Sequence, residues 1–286
     1  MMAIQPTGPN ERQRAQAETL QKAQQAIQGE RPAEAERLAG EILKANAGHA
    51  EAIKILGYAL LMQGRAEEAV APLEKAARAS HDPEIETQLA IALRQDGDSD
   101  KALLWLQRAV KRMPPFAPAF HELGCVLHSL DRSDEAIAVF RQGIALAPMM
   151  ADMWLQLGAV HLALKQRADA GRAFAQALAI NPVHPEATHG LVSVLVQEGN
   201  FAQAAELLRR VIAASPDDTL ARIGLGNCLL ELGQADTAYA CLRAAAVRGA
   251  RFHGVLSAVL MSGHGRFWLR PSSAEKFFKG GSGEQR

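Results

Sequence analysis

Along most of this chain, small and large apolar residues return in the same order about every 34 residues. Ala35, Ala69, Ala102, Ala136, Ala170, Ala204 and Ala238 recur at steps of 34, with a single step of 33. Taking that alanine as position 20 gives units at 16–49, 50–82, 83–116, 117–150, 151–184, 185–218 and 219–252. Position 7 is then Leu56, Leu89, Leu123, Leu157, Leu191 and Leu225, with Lys22 breaking the rule in the first unit. Position 8 is small at Ala23, Gly57, Ala90, Gly124, Gly158 and Gly226, Val192 being the exception. Position 24 is large at Leu73, Leu106, Phe140, Phe174, Leu208 and Leu242, while position 27 is mostly small, from Ala76 to Ala245.

A small side chain lets two helix axes approach, and a large one fills the hole left by the next helix. The alternation therefore predicts antiparallel helix pairs packed ridge into groove. Pro114, Pro148, Pro182 and Pro216 occupy position 32 of consecutive units, where a ring without an N–H stops the second helix. Between the two helices of each unit, Gly29, Gly64, Gly97, Asp131, Gln166, Gly199 and Gly233 mark a turn. Most are residues that tolerate a left-handed conformation just past a helix end. The composition agrees: 48% hydrophobic but 5% aromatic residues favours helices over strands.

In the fifth unit Trp154, Leu157, Gly158, Ala170, Phe174 and Pro182 stand in the register of the tetratricopeptide repeat, and over residues 16–252 the chain resembles that family. His161 stands where the family usually has Tyr, and is expected to pack against the partner helix. The resemblance implies an all-α, right-handed α-solenoid of about seven helix-turn-helix repeats. It further implies that first helices line a concave groove, with positions 2, 5, 6, 9, 12 and 13 facing a ligand. Residues 1–15 are expected to fray, 253–279 to form a C-terminal helical and aromatic cap, and 280–286 to be a flexible tail.

The groove positions so implied include Lys54, Tyr58, Gln88, Arg94, Gln95, His121, Glu122, Cys125, His128, Gln156, His189, Ser193 and Asn227. Polar and mixed in charge, they suit a peptide or helix of a partner protein, and equally a merely solvated face. Two groove chemistries known in the family do not carry over. A clamp for a C-terminal carboxylate needs Lys, Arg and Asn where this chain has Tyr58, Gln88, Asp152 and Leu157. An Asn ladder at position 6 meets Ile55, Gln88, Glu122, Gln156, Gly190 and Gly224.

The leading expectation is a non-catalytic interaction scaffold. The alternative is a substrate-recruiting subunit for a separate glycosyl- or sulfotransferase, because the residues after 252 are too few for such a domain. A third reading, a metal-dependent enzyme, rests on His121, Cys125 and His128. Their spacing nearly spells a helical zinc motif, although repeat position also accounts for each residue. Gly224 and Gly226 fall inside a predicted helix and read as close-contact residues, not a phosphate cradle; Gly263 to Arg266 reads as a turn.

Lys plus Arg equals Asp plus Glu at 31 each, so no global field favours nucleic acid. Cys125, Cys228 and Cys241 lack metal or disulfide spacing and suit reduced, packing thiols. Neither a leader's apolar core nor a membrane-length stretch is visible, so a cytoplasmic protein away from membranes is expected, without a cofactor. The aromatics Phe267, Trp268, Phe277 and Phe278 read either as the cap of the last repeat or as a docking motif, and a homo-oligomer through that end stays open.

Overall fold

The computed structural model describes the backbone of residues 9–247 and side chains within residues 13–245. Among these residues there is no strand, and fourteen helices follow one another. They are α1 Pro9–Gln28, α2 Pro32–Ala45, α3 Ala50–Met62, α4 Ala66–Ala79, α5 Pro83–Gln95, α6 Ser99–Ala109 and α7 Ala117–Ser129. Then come α8 Ser133–Leu146, α9 Ala151–Ala163, α10 Arg167–Ile180, α11 Pro185–Gln197, α12 Phe201–Ala214, α13 Thr219–Glu231 and α14 Ala235–Val247. The fold is an all-α solenoid of helix hairpins, α1 with α2 through α13 with α14. The chain divides into two compact units, Met1–Met149 and Met150–Arg286. The segment 248–286, with the expected cap and tail and with Phe267, Trp268, Phe277 and Phe278, lies outside the described residues.

One device turns the chain in every hairpin. Position 15 has positive φ each time: Glu30 (53°), Gly64 (71°), Gly97 (94°), Asp131 (59°), Lys165 (60°), Gly199 (75°) and Gly233 (73°). At each, the residue itself donates to the carbonyl three back and its successor to the carbonyl five before it, as in Gly64 N to Leu61 O and Arg65 N to Leu60 O. These bonds satisfy carbonyls that the first helix leaves without partners, closing a Schellman motif. Two expectations are thereby corrected: the left-handed residue is Glu30, not Gly29, and Lys165, not Gln166. Register within the hairpin chooses the residue, and side-chain type only makes it cheap or costly.

Packing follows the size code. A methyl group added to Gly57 would meet Leu73 at 2.9 Å, one on Gly158 would meet Phe174 at 2.7 Å, and one on Gly226 would meet Leu242 at 2.6 Å. Gly124 stands in the same relation to Phe140. Position 24 is pressed from the next hairpin as well, since Gly190 comes equally close to Phe174 and Gly224 approaches Leu208. These large side chains are buried, and each stabilises the stack by about 1.5–3 kcal/mol. His161 is buried too, its Nδ1 2.6 Å from Gln166 Oε1, so it packs and is satisfied locally.

The helix ends match the prolines in three of four places: α8, α10 and α12 stop two residues before Pro148, Pro182 and Pro216. The residue before proline is excluded from helical backbone, which accounts for that spacing. In contrast, α6 stops at Ala109, well short of Pro114. The irregular stretch that follows is pinned by Arg112, which donates to Glu86 of α5 through Nη2 at 2.6 Å and Nε at 3.2 Å. Glu86 is completely buried, and its hydrogen bond raises the Arg112 pKa above its usual range. At the other end, α1 begins at Pro9, so the stretch expected to fray through residue 15 is helical from residue 9. Its Ala, Gln and Arg residues propagate helix readily once Ala23 and Ala26 are packed.

Candidate partner-binding groove

Within the first compact unit, successive first helices touch one another, α1 with α3, α3 with α5 and α5 with α7. The second helices make no comparable contact among themselves, so the first-helix side is the narrower one. Positions 5, 9 and 12 of neighbouring hairpins therefore stand side by side on one face, and two clusters form there.

The first surrounds Lys54. Its Nζ lies 3.0 Å from Glu51, 2.9 Å from Asp82 and 2.8 Å from Glu84. Burial alone would lower the lysine pKa, but hydrogen bonds to Glu84, Asp82 and Glu51 hold it above its ordinary value. Asp82 has a second task, capping α5 through Oδ1, which accepts from Glu84 N at 2.9 Å. Three carboxylates against one ammonium leave this end of the face acidic. Tyr58, at 39% exposure, offers its ring beside them, and burial, then Glu84, pushes its phenol above the usual range.

Gln88 departs from expectation. It is 1% exposed, so it does not face solvent as its position implied, and its Oε1 lies 2.7 Å from where a methyl group on Gly57 would stand. Its amide lies against the Tyr58 hydroxyl closely enough to favour phenol ionisation, yet neither its Nε2 nor its Oε1 completes a hydrogen bond of good geometry. A buried amide left this way costs about 1–3 kcal/mol.

The second cluster joins α5 to α7. Arg94 Nη2 is 3.3 Å from Glu122 Oε2, and His121 Nδ1 is 3.1 Å from Glu122 Oε1. Burial would raise the Glu122 pKa, but the His121 hydrogen bond and the Arg94 charge hold it below the ordinary carboxylate range. Cys125 Sγ is 3.9 Å from His121 Nε2. His128 is directed instead at Ser133 Oγ, 3.2 Å away, so the three donors of the metal reading do not converge, and no other such group forms among the described residues. Gln95 is exposed beyond Arg94.

In the second unit, Gln156 on α9 and His189 on α11 stand on touching helices, half-buried and exposed respectively. Ser193 accepts from Gln197 Nε2 at 3.1 Å, and Asn227 keeps a buried Oδ1 without a partner. Sequence reasoning passed over Glu51, Asp82 and Glu84. Glu51 and Glu84 sit at position 2, a groove position by the family's pattern, and Asp82 bears the signature of a helix cap, so the signal was present. It also passed over a cavity of about 490 Å³ among α10, α11 and α12, walled by Leu178, Pro182, Val183, Leu191, Leu207 and Val211 and away from the groove positions.

Two models of the tetratricopeptide repeat match the sequence, one over residues 20–84 and 121–185, the other over 195–256. The chain belongs to the tetratricopeptide repeat family. No curated protein matches it. Among solved structures it is similar to MamA 41-end from Desulfovibrio magneticus RS-1, at 25% identity over 59% of this chain and 96% of that one, with a TM-score of 0.51. Pseudomonas aeruginosa PilF is 22% identical over 67% of this chain and 88% of its own, with a TM-score of 0.59. The APC/C hetero-tetramer Cut9-Hcn1 is 19% identical over 75% of this chain and 43% of that one, with a TM-score of 0.65. The last two show the tetratricopeptide fold alone. No helix among the described residues is long and apolar enough to cross a membrane.

Proposed function

We propose that the chain is a non-catalytic adaptor that binds a segment of another protein along the face of α3, α5 and α7. The observation that carries this reading is the exposed aromatic ring of Tyr58 on one face with two clusters of opposite residual charge. An extended or helical segment would cover Tyr58. It would set a basic side chain on the Glu51, Asp82 and Glu84 carboxylates and an acidic one near Arg94 and His121. Free thiols at Cys125, Cys228 and Cys241 suit a reducing, cytoplasmic setting.

The test is photo-crosslinking in the native host, with the reactive amino acid at Tyr58 or, as a control, at Glu67 of α4. A partner captured from Tyr58 and lost when Arg94 or Glu84 is neutralised supports the groove. Capture from Glu67 alone, or equal recovery by all variants, refutes it and turns attention to the α10–α12 cavity.

A further inference from the structure

The thiol cluster on α7 has chemistry that partner binding does not use. The Cys125 sulfur faces His121 Nε2 at 3.9 Å, one helical turn away on the same face. The other ring nitrogen, Nδ1, lies 3.1 Å from Glu122 Oε1. An ionised carboxylate can only accept, so Nδ1 carries a proton, and Nε2 is the nitrogen that can exchange a proton on the sulfur side. Glu122 is in turn fixed by Arg94 through its second oxygen, at 3.3 Å, and the imidazole is flanked by Phe140 of α8 with ring centroids 6.4 Å apart. The order is nucleophile, imidazole and a third group orienting the imidazole.

The other two cysteines stand in opposite surroundings. Cys228 is 1% exposed, and burial pushes its thiol up to about 11. Cys241 donates its S–H to Arg222 O at 3.3 Å, and burial raises its thiol as well. Cys125 is half-buried, with its sulfur turned to an imidazole instead of a backbone carbonyl. Burial lowers the His121 pKa, but Cys125 and Glu122 outweigh that and push it up to about 10, so the ring carries its proton at neutral pH and presents a cation to the facing sulfur.

We infer that Cys125 is a hydroperoxide-sensitive modification site, with His121 as the cation that faces its thiolate and protonates the leaving oxygen, and Glu122 as the residue positioning that ring. In the step, the thiol proton leaves to solvent, and the thiolate, facing the protonated Nε2, attacks one oxygen of the peroxide. The S–O bond forms as the O–O bond breaks. The Nε2 proton then passes to the departing hydroxide, giving water. Sulfur is oxidised from thiol to sulfenic acid and the peroxide is reduced, with no further reactant. The sulfenic acid would stand at a groove position, so its effect on partner capture depends on the groove reading, whereas the reactivity does not.

The full chain is treated with hydrogen peroxide and dimedone, and in parallel with limiting iodoacetamide, and each cysteine peptide is quantified by mass spectrometry. Cys125 is expected to react about tenfold or more faster than Cys241 in both assays, and His121→Gln is expected to remove that advantage while sparing Cys241. Equal rates at Cys125 and Cys241 in the wild type would overturn the inference. If His121→Gln does not fold, Glu122→Gln, which loosens the imidazole from its anchor, decides. A lowered Cys125 rate with Cys241 unchanged supports the imidazole pair, and an unchanged Cys125 rate overturns it. Labelling at Cys125 upholds the site whatever becomes of partner capture, so failure of the groove is read separately.

Discussion

Hairpins adhere differently in the two compact units. In the first, polar links cross from one hairpin to the next: Arg65 to Glu36, Lys54 to Asp82 and Glu84, and Arg94 to Glu122, while Arg112 to Glu86 ties one hairpin to its own end. In the second, the described neighbours lean more on shape, with Phe174 held between Gly158 and Gly190 and Leu208 against Gly224, beside the bonds from Asp152 to His184 and from Arg167 to Gln197. The same repeat thus tolerates two kinds of adhesive. Charged links respond to salt and pH and can face a ligand, whereas size complementarity is insensitive to both and exposes little chemistry.

Substitutions sharpen that contrast. The largest effect is expected from Arg112→Ala, because it leaves the fully buried Glu86 carboxylate without its cation; urea unfolding should report a clearly lowered midpoint. A smaller loss is expected for Glu86→Ala, whose partner Arg112 can turn to water. Glu86→Ala combined with Arg112→Ala should recover part of it, and strict additivity would mean that the pair is not coupled. In the second unit, Gly158→Ala or Gly190→Ala should cost about 1–3 kcal/mol through overpacking against Phe174, with relief when Phe174→Leu is added. Unchanged stability on either glycine substitution would show that the ring has room to move.

Turn residues come next. Lys165→Gly removes a side chain from left-handed backbone and should stabilise by about 1 kcal/mol, while Gly233→Ala should destabilise by a similar amount. Opposite signs at the same hairpin position are the observation to look for in thermal melts. The smallest effect concerns pH. His121 has a raised pKa, so its contribution is complete below the ordinary imidazole range and fades as pH climbs from there through about 10. Glu122 has a lowered one, so its contribution is present above the usual carboxylate range and fades as pH falls. Stability measured from acid to alkaline pH should decline on both flanks, and His121→Gln should flatten the alkaline one.

Much of this architecture could be read without coordinates. The alanines at position 20, the small residues at position 8 and the large ones at position 24 specify helix hairpins and their pairing, because close approach needs an absent side chain opposite a bulky one. The turn was legible in kind but misplaced twice, at Gly29 and Gln166, since glycine draws the eye and hydrogen-bond register does the choosing. The groove was less legible. Lys54 was visible, but its cage of Glu51, Asp82 and Glu84 spans two hairpins, and Gln88 has the composition of a surface residue in a buried place.

What the sequence by itself determined is the repeat, its register and the interior of each hairpin, all of which follow from side-chain size at fixed spacing along one chain. What only the tertiary structure decided is which polar groups meet. The carboxylates around Lys54, the Arg94 to Glu122 link and the His121 to Cys125 contact depend on rotamers and on the separation of neighbouring helices. A difference of one or two ångströms there separates a paired charge from a solvated one.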